Sequence, residues 1–217
     1  MPTLDYHDKI AVLDLGADEN RFSPEFLDQV GAHLDTAVAD GAQGLVTTAS
    51  GKFYSNGLDV DWLGANADRA ESYVARVQAL LARMLTLPVP TAAALPGHAF
   101  GAGAMLAIAH DYRVMRADRG YFCFPEVDIR IPFTPGMAAL IQAKLPPRSA
   151  VASMTTGRRF GGPDAAAYDI VDATAAEGAV TDSAVALLTP LAGKDPRTLG
   201  AIKNTMYATA VAALTAE

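Results

Sequence analysis

The stretch GHAFGAGAM (97–105) decides how this chain is read. It follows the apolar run PTAAALP (90–96) and opens the segment AGAMLAIAHDY (102–112), which has no charged face until its end. A short apolar strand, a turn with three glycines in seven residues and a buried helix are the natural parse. Gly101 and Gly103 let the chain turn tightly and leave the first N–H groups of that helix uncovered. Such a helix end attracts negative charge through hydrogen bonds and the macrodipole. The question is which negative charge.

Bulk properties narrow it. A chain of 217 residues, half of them apolar, can bury one sizeable core. Its net charge of −7 argues against nucleic acid or an anionic membrane as the main partner, so an anionic ligand must be met by local donors. No apolar run reaches the length of a membrane span, and neither terminus reads as a targeting signal; a cytoplasmic protein is expected. The single Cys123, inside YFCF (121–124), reads as a packed thiol in a reducing compartment.

The commoner chemistries lack their motifs. There is no phosphate-binding G-x-x-x-x-G-K-[ST], and GAGAML lacks the third glycine of a dinucleotide fingerprint. Neither H-E-x-x-H nor a Cys/His cluster appears, so no metal is expected. His7, His33, His98 and His110 are scattered, and His110-Asp111 reads as a cap on the buried helix. G-x-S-x-G is also missing.

Along the chain, KIAVLDLG (9–16), GLVTTAS (44–50), TAAAL (91–95), YRVMRA (112–117) and YFCF read as strands. SPEFLDQVGAHLDTAVADG (23–41) reads as a helix with a Ser cap, Pro at its first position and a stripe of Phe26, Leu27, Val30, Leu34 and Val38. DRAESYVARVQALLARMLTLP (68–88) is a second amphipathic helix. After PPR (146–148) the Ala-rich segments 163–170, 176–192 and 196–216 all read as helices. Strand–helix alternation followed by helices makes the fold class α/β, with no repeat visible. A second turn, FYSNGLD (53–59), has the same character as the first: Asn56-Gly57 permits a positive φ just before Leu58. Two such turns offering one N–H each to a common point would make an oxyanion hole. Taken singly, each is also what a strand-to-helix connection needs.

Three ordered blocks carry a family resemblance. KFYSNGLDVDW (52–62), PVPTAAALPGHAFGAGAMLAIAHDYRVM (88–115) and ADRGYFCFPEVDIRIPFTPGMAALI (117–141) resemble the crotonase (enoyl-CoA hydratase/isomerase) superfamily, above all its monofunctional Δ3,Δ2-enoyl-CoA isomerases. The resemblance spans about residues 10–145. It implies a spiral of ββα turns carrying an acyl-CoA site over 1–145, and a helical trimerisation region over 146–217, in a homotrimer or a dimer of trimers. It also implies that the amides of Leu58 and Ala102, freed by Gly57, Gly101 and Gly103, polarise the thioester carbonyl of an acyl-CoA. Coenzyme A would then be part of the substrate, with no separate cofactor.

Hydratases of this superfamily use a pair of carboxylates. Here the first position is Met105, which transfers no proton, and the second is Glu126. One carboxylate suffices to take a proton from one carbon and return it two positions along, so the resemblance points to isomerisation of 3-enoyl-CoA to trans-2-enoyl-CoA, a step of fatty-acid β-oxidation. The apolar neighbours Phe122, Phe124 and Pro125 should raise the Glu126 pKa. Lys203, in LGAIKNTMY, resembles a C-terminal-helix lysine that meets CoA phosphates and is equally readable as a solvated charge; Lys52, beside the FYSNGLD turn, could approach the nucleotide phosphates but reads rather as a solvated loop charge. Trp62 and Phe133 fit an acyl pocket or ordinary core packing. Other chemistry on the same scaffold (hydratase, thioesterase, decarboxylase), or an acyl-CoA-binding paralogue without turnover, are the alternatives.

Overall fold

A computed structural model describes residues 1–216. The chain opens as an antiparallel hairpin, β1 (Thr3–His7) and β2 (Ile10–Asp14), and crosses through α1 (Pro24–Ala39) to β3 (Gly44–Thr48). Ser23 accepts a hydrogen bond from the Phe26 N–H and Pro24 pre-sets the first turn, so α1 starts where the sequence says. Its buried stripe ends on Ala37, while Val38 is exposed.

From β3 onward one motif repeats. β3 is followed by β4 (Phe53–Ser55), α2 (Val60–Ala65) and α3 (Ala70–Leu85); then come β5 (Thr91–Leu95), β6 (His98–Phe100) and α4 (Ala102–Ala109); then β7 (Tyr112–Arg116), β8 (Phe122–Cys123) and α5 (Glu126–Ile129). The first strand of each unit joins a six-stranded sheet ordered β1-β2-β3-β5-β7-β9. The second joins a three-stranded sheet ordered β4-β6-β8. All pairs but the opening hairpin are parallel. The repeat is a spiral of ββα turns, each of which stacks a strand-to-helix connection on the one before. Equivalent loops therefore form a column at one edge of the small sheet.

The remaining elements are α6 (Pro135–Lys144), α7 (Pro147–Met154), α8 (Gly162–Ala167), β9 (Ala173–Ala175), α9 (Val180–Leu188), α10 (Pro196–Met206) and α11 (Ala208–Leu214). Two expectations are corrected here. The segment after residue 145 is not wholly helical: β9 pairs with β7 through Val114↔Ala173 and closes the edge of the large sheet. The boundary at 145/146 also marks no structural divide. α9 packs Val180, Ala184 and Leu188 on Val12, Val46, Ala92 and Val114 of the large sheet, while Ala210 and Leu214 of α11 join the main core with Met137 and Leu140 of α6. The sheet thus buries both faces, which is why β3 and β5 are buried along their whole length.

Candidate active site

The two glycine turns meet. Gly57 has φ +81°, and a Cβ there would stand 2.8 Å from the Phe100 carbonyl oxygen and 3.0 Å from the Ala102 nitrogen. The turn after β4 therefore lies directly on the N-terminus of α4, and only glycine permits both the conformation and the approach. Gly101 has φ +51° and precedes a helix with no side-chain cap. Gly103 faces Ser55 so closely that a Cβ would come within 2.5 Å of the Ser55 carbonyl oxygen. Among the described residues, neither the Leu58 nor the Ala102 N–H donates to any acceptor. Two main-chain donors are left open on neighbouring turns.

The turns are held from behind. The Ser55 hydroxyl donates to the Asn20 carbonyl and accepts from the Gly57 N–H. The buried Asn20 amide, on a left-handed residue with φ +49°, spans the Gly16, Phe53 and Tyr54 carbonyls. Downstream, the Asp59 side chain caps α2 through the Trp62 N–H, and the Asp59 N–H donates to the Tyr73 hydroxyl, which itself donates to the Phe22 carbonyl.

Glu126 opens α5 and is 9% exposed. Its Oε1 lies 3.6 Å from where a Cβ on Gly101 would stand, so the carboxyl group reaches the entrance of α4. Its Oε2 is buried and has no hydrogen-bond partner. Burial pushes its pKa from the usual 4.5 up to about 7. A carboxyl oxygen kept dry and unpaired is poorly explained by stability and well explained by a proton it must accept. The apolar surroundings are Phe122 and Phe124, both fully buried, with Phe133 edge-on to Phe124 at 6.0 Å. Asp128, two residues on, sits in the helical turn of α5 and is exposed.

The other expected residues divide. Met105 is fully buried in α4, within the main core. Trp62 is half-buried on Tyr73, centroid to centroid 5.1 Å. Lys52 is exposed, its ammonium 5.2 Å above the Phe53 ring. Lys203 is a correction: it is 4% exposed, and its ammonium donates to the Val89 carbonyl at 2.8 Å and to Asp111 at 2.6 Å. Two of its three N–H donors are spent inside the fold and its charge is paired with Asp111, which leaves it poorly disposed to meet a phosphate. Cys123 is buried against the Gly157 carbonyl, and burial pushes its thiol up to about 11.

The sequence reading missed residues that act at one remove. Asn20 is an ordinary polar residue before a helix; only its φ and its three carbonyl partners reveal a brace. Arg113, also buried, donates to the Ile170 and His110 carbonyls and pairs with Asp172 at 3.1 Å, tying β7 to the segment before β9. A cavity of about 520 Å³ opens elsewhere, between α10 and Pro90, Tyr112, Lys144 and Tyr207, and includes none of Leu58, Ala102 or Glu126.

Comparison with known proteins identifies the family. The family model described as enoyl-CoA hydratase/isomerase matches residues 7–217. Enoyl-CoA delta isomerase 3 of Arabidopsis thaliana is 38% identical over 206 residues, covering 89% of this chain and 86% of the relative. An enoyl-CoA hydratase/isomerase family protein from Pseudomonas syringae superposes with a TM-score of 0.93 at 25% identity, over 99% of this chain and 94% of its own. Human mitochondrial delta3-delta2-enoyl-CoA isomerase shares the fold with a TM-score of 0.89 at 20% identity, over 97% and 84%. With a family match running almost end to end and a site built from the segments that carry it, this chain belongs to the enoyl-CoA hydratase/isomerase family.

Proposed function

We propose that the protein isomerises 3-enoyl-CoA thioesters to trans-2-enoyl-CoA, with Glu126 as the sole proton carrier. The observation that carries this is the buried, unpartnered Glu126 oxygen beside a helix entrance flanked by two open main-chain donors. The thioester oxygen sits between the Leu58 and Ala102 N–H groups. Glu126 takes a proton from C2, the electrons pass to the carbonyl to give a dienolate, and the same carboxyl group returns the proton to C4. The double bond moves from C3–C4 to C2–C3, and no atom is gained or lost. The donors act on charge that exists only in the transition state and the dienolate, so their energy lowers the barrier instead of merely tightening binding. A pKa near 7 balances the fraction ionised at neutral pH against strength as a base.

By the family resemblance Met105 stands at the sequence position of the hydratases' first carboxylate, and a thioether there transfers no proton, which favours isomerisation over hydration. The names of the Arabidopsis relatives point the same way. The reaction is redox-neutral and uses only the chain and the CoA of its own substrate. Trp62 and Phe133 line the acyl end, and Lys52 approaches the nucleotide end. The chain works as a trimer or a dimer of trimers, for which the exposed Val127, Ile129 and Ile131 beside the site and Ile202 and Met206 on α10 offer apolar contact surface.

The test is a single assay: 3-hexenoyl-CoA is supplied and the conjugated thioester followed in the ultraviolet. Glu126→Gln should lower the rate by about 10²–10⁴-fold, the usual contribution of a positioned base. Full activity in that variant, or hydration of crotonyl-CoA at a matching rate, overturns the assignment.

A further inference from the structure

Behind the site lies a buried polar chain that the proposed reaction does not use. The Thr47 Oγ1 is 2.7 Å from the Tyr54 hydroxyl and 2.9 Å from His110 Nε2, and His110 Nδ1 is 2.8 Å from the Leu106 carbonyl oxygen. Tyr54, Thr47 and His110 are all fully buried. A carbonyl only accepts, so Nδ1 carries the ring proton. Burial holds His110 down at about 3, so the ring is neutral and Nε2 must accept. The Thr47 hydroxyl therefore donates to His110, and its oxygen is left to accept from Tyr54. The order is Tyr54 to Thr47 to His110 to the Leu106 carbonyl, with each proton assigned. Such a chain cannot reverse or slip without stranding a polar atom in the core.

Its anchor points matter more than its energy. Thr47 is on β3, Tyr54 is on β4 and His110 ends α4. Residues 55–58, just past Tyr54, form the turn that carries the Leu58 N–H, and the other end of α4 carries the Ala102 N–H. α4 is thus fixed to the segment 54–57 at both ends: by Gly57 and Gly103 against backbone at its start, and by the hydroxyl chain at its finish, roughly 12 Å away for eight residues. A helix held only at its first turn can pivot or slide along the strand. Held at both, it keeps its axial position.

We propose that Tyr54, Thr47 and His110 are positioning residues that set how the Leu58 and Ala102 N–H groups converge on the thioester oxygen. This rests on the isomerase reading above. Sub-ångström drift of one donor weakens the developing enolate far more than the bound ground state, because the angular demand is greatest where charge is greatest.

The test compares Thr47→Val, which keeps shape and removes the central hydroxyl, with Tyr54→Phe and Thr47→Ser. Thr47→Val should lower kcat on 3-hexenoyl-CoA by about 10-fold or more and leave KM nearly unchanged. It should also diminish the red shift that the polarised carbonyl of a bound dienoyl-CoA chromophore shows in the wild type. Tyr54→Phe should do the same to a smaller degree, and it keeps the ring volume should Thr47→Val fail to fold. Thr47→Ser should recover most of the lost rate. If the variants lose thermal stability while kcat and the red shift stay at wild-type values, the residues are structural and the proposal is wrong. An inactive wild type would instead refute the isomerase reading, since the red shift of the bound chromophore can be read without turnover.

Discussion

Replacing Glu126 by Gln should stabilise the folded protein relative to the wild type by an amount that grows as the pH rises, while lowering its activity. The carboxyl group binds its proton with a pKa near 7 in the fold and near 4.5 when exposed. Below pH 4.5 both states are protonated and ionisation contributes nothing. Between 4.5 and 7 the unfolded chain releases the proton and the folded chain keeps it, so stability falls as pH rises; above 7 the full cost is present. At 1.36 kcal/mol per unit this is about 3 kcal/mol. Glutamine cannot ionise, so the variant escapes that cost. Its side-chain amide brings an unsatisfied donor into the same dry pocket, but that penalty does not vary with pH. The quantity to measure is thus the difference in Tm between variant and wild type across pH 4.5 to 8.5. For a chain of this length it should widen in favour of the variant by roughly 6–12 °C. A difference that is flat with pH would mean the carboxyl group is solvated, and the account of Glu126 as a desolvated base would fail. The kcat/KM of the wild type should rise through the same region, governed by one ionisation.

Gly57→Ala should cost about 1–2 kcal/mol of stability for its positive φ, and push a methyl group into the Phe100 carbonyl and the Ala102 nitrogen. Displacing one donor should lower kcat by about 10²-fold or more in the ultraviolet assay, and retention of wild-type kcat would show that the turn plays no part. Lys203→Met should destabilise by about 3 kcal/mol, the low end for breaking a buried pair, because Asp111 keeps its hydrogen bonds from Thr91. KM for acyl-CoA should not move; a large rise in KM without loss of Tm would return Lys203 to the binding site.

How much of this was legible in the residues depends on how local the signal is. Helix α1 follows from its Ser cap and apolar stripe, and α3 from its stripe alone, signals that lie within a few turns of chain. β4 and β6 are three residues each, too short for a period of two to register, and both are embedded among glycines. The spiral was therefore invisible as a repeat, although the turns it stacks were readable one by one. β9 carries ATA, a sequence with no preference, and becomes a strand only because the edge of β7 needs a partner. Glu126 was legible as a position in an ordered block, while its orphaned oxygen was not. The Lys203 error has a physical source: residue type gives charge, whereas burial beside Asp111 is a fact of tertiary structure. The chain joining Tyr54, Thr47 and His110 links positions 63 residues apart and no local pattern announces it.

Both donors at the Leu58 and Ala102 turns belong to the main chain, and this shapes what mutagenesis can see. Alanine scanning would report the donors only indirectly, through the glycines that hold them, since truncating Leu58 leaves its N–H in place and residue 102 is alanine already. The informative replacement at 102 is proline, which suits the first position of a helix and removes the N–H, while its ring carbon adds bulk at the same nitrogen. A loss of turnover there, set against silence on truncating the Leu58 side chain, would mark machinery that side-chain surveys pass over. By the same token, on the proposed reading the groups at 105 and 126 could be exchanged for other chemistry without disturbing the two donors, because those donors depend on backbone geometry and not on side-chain identity.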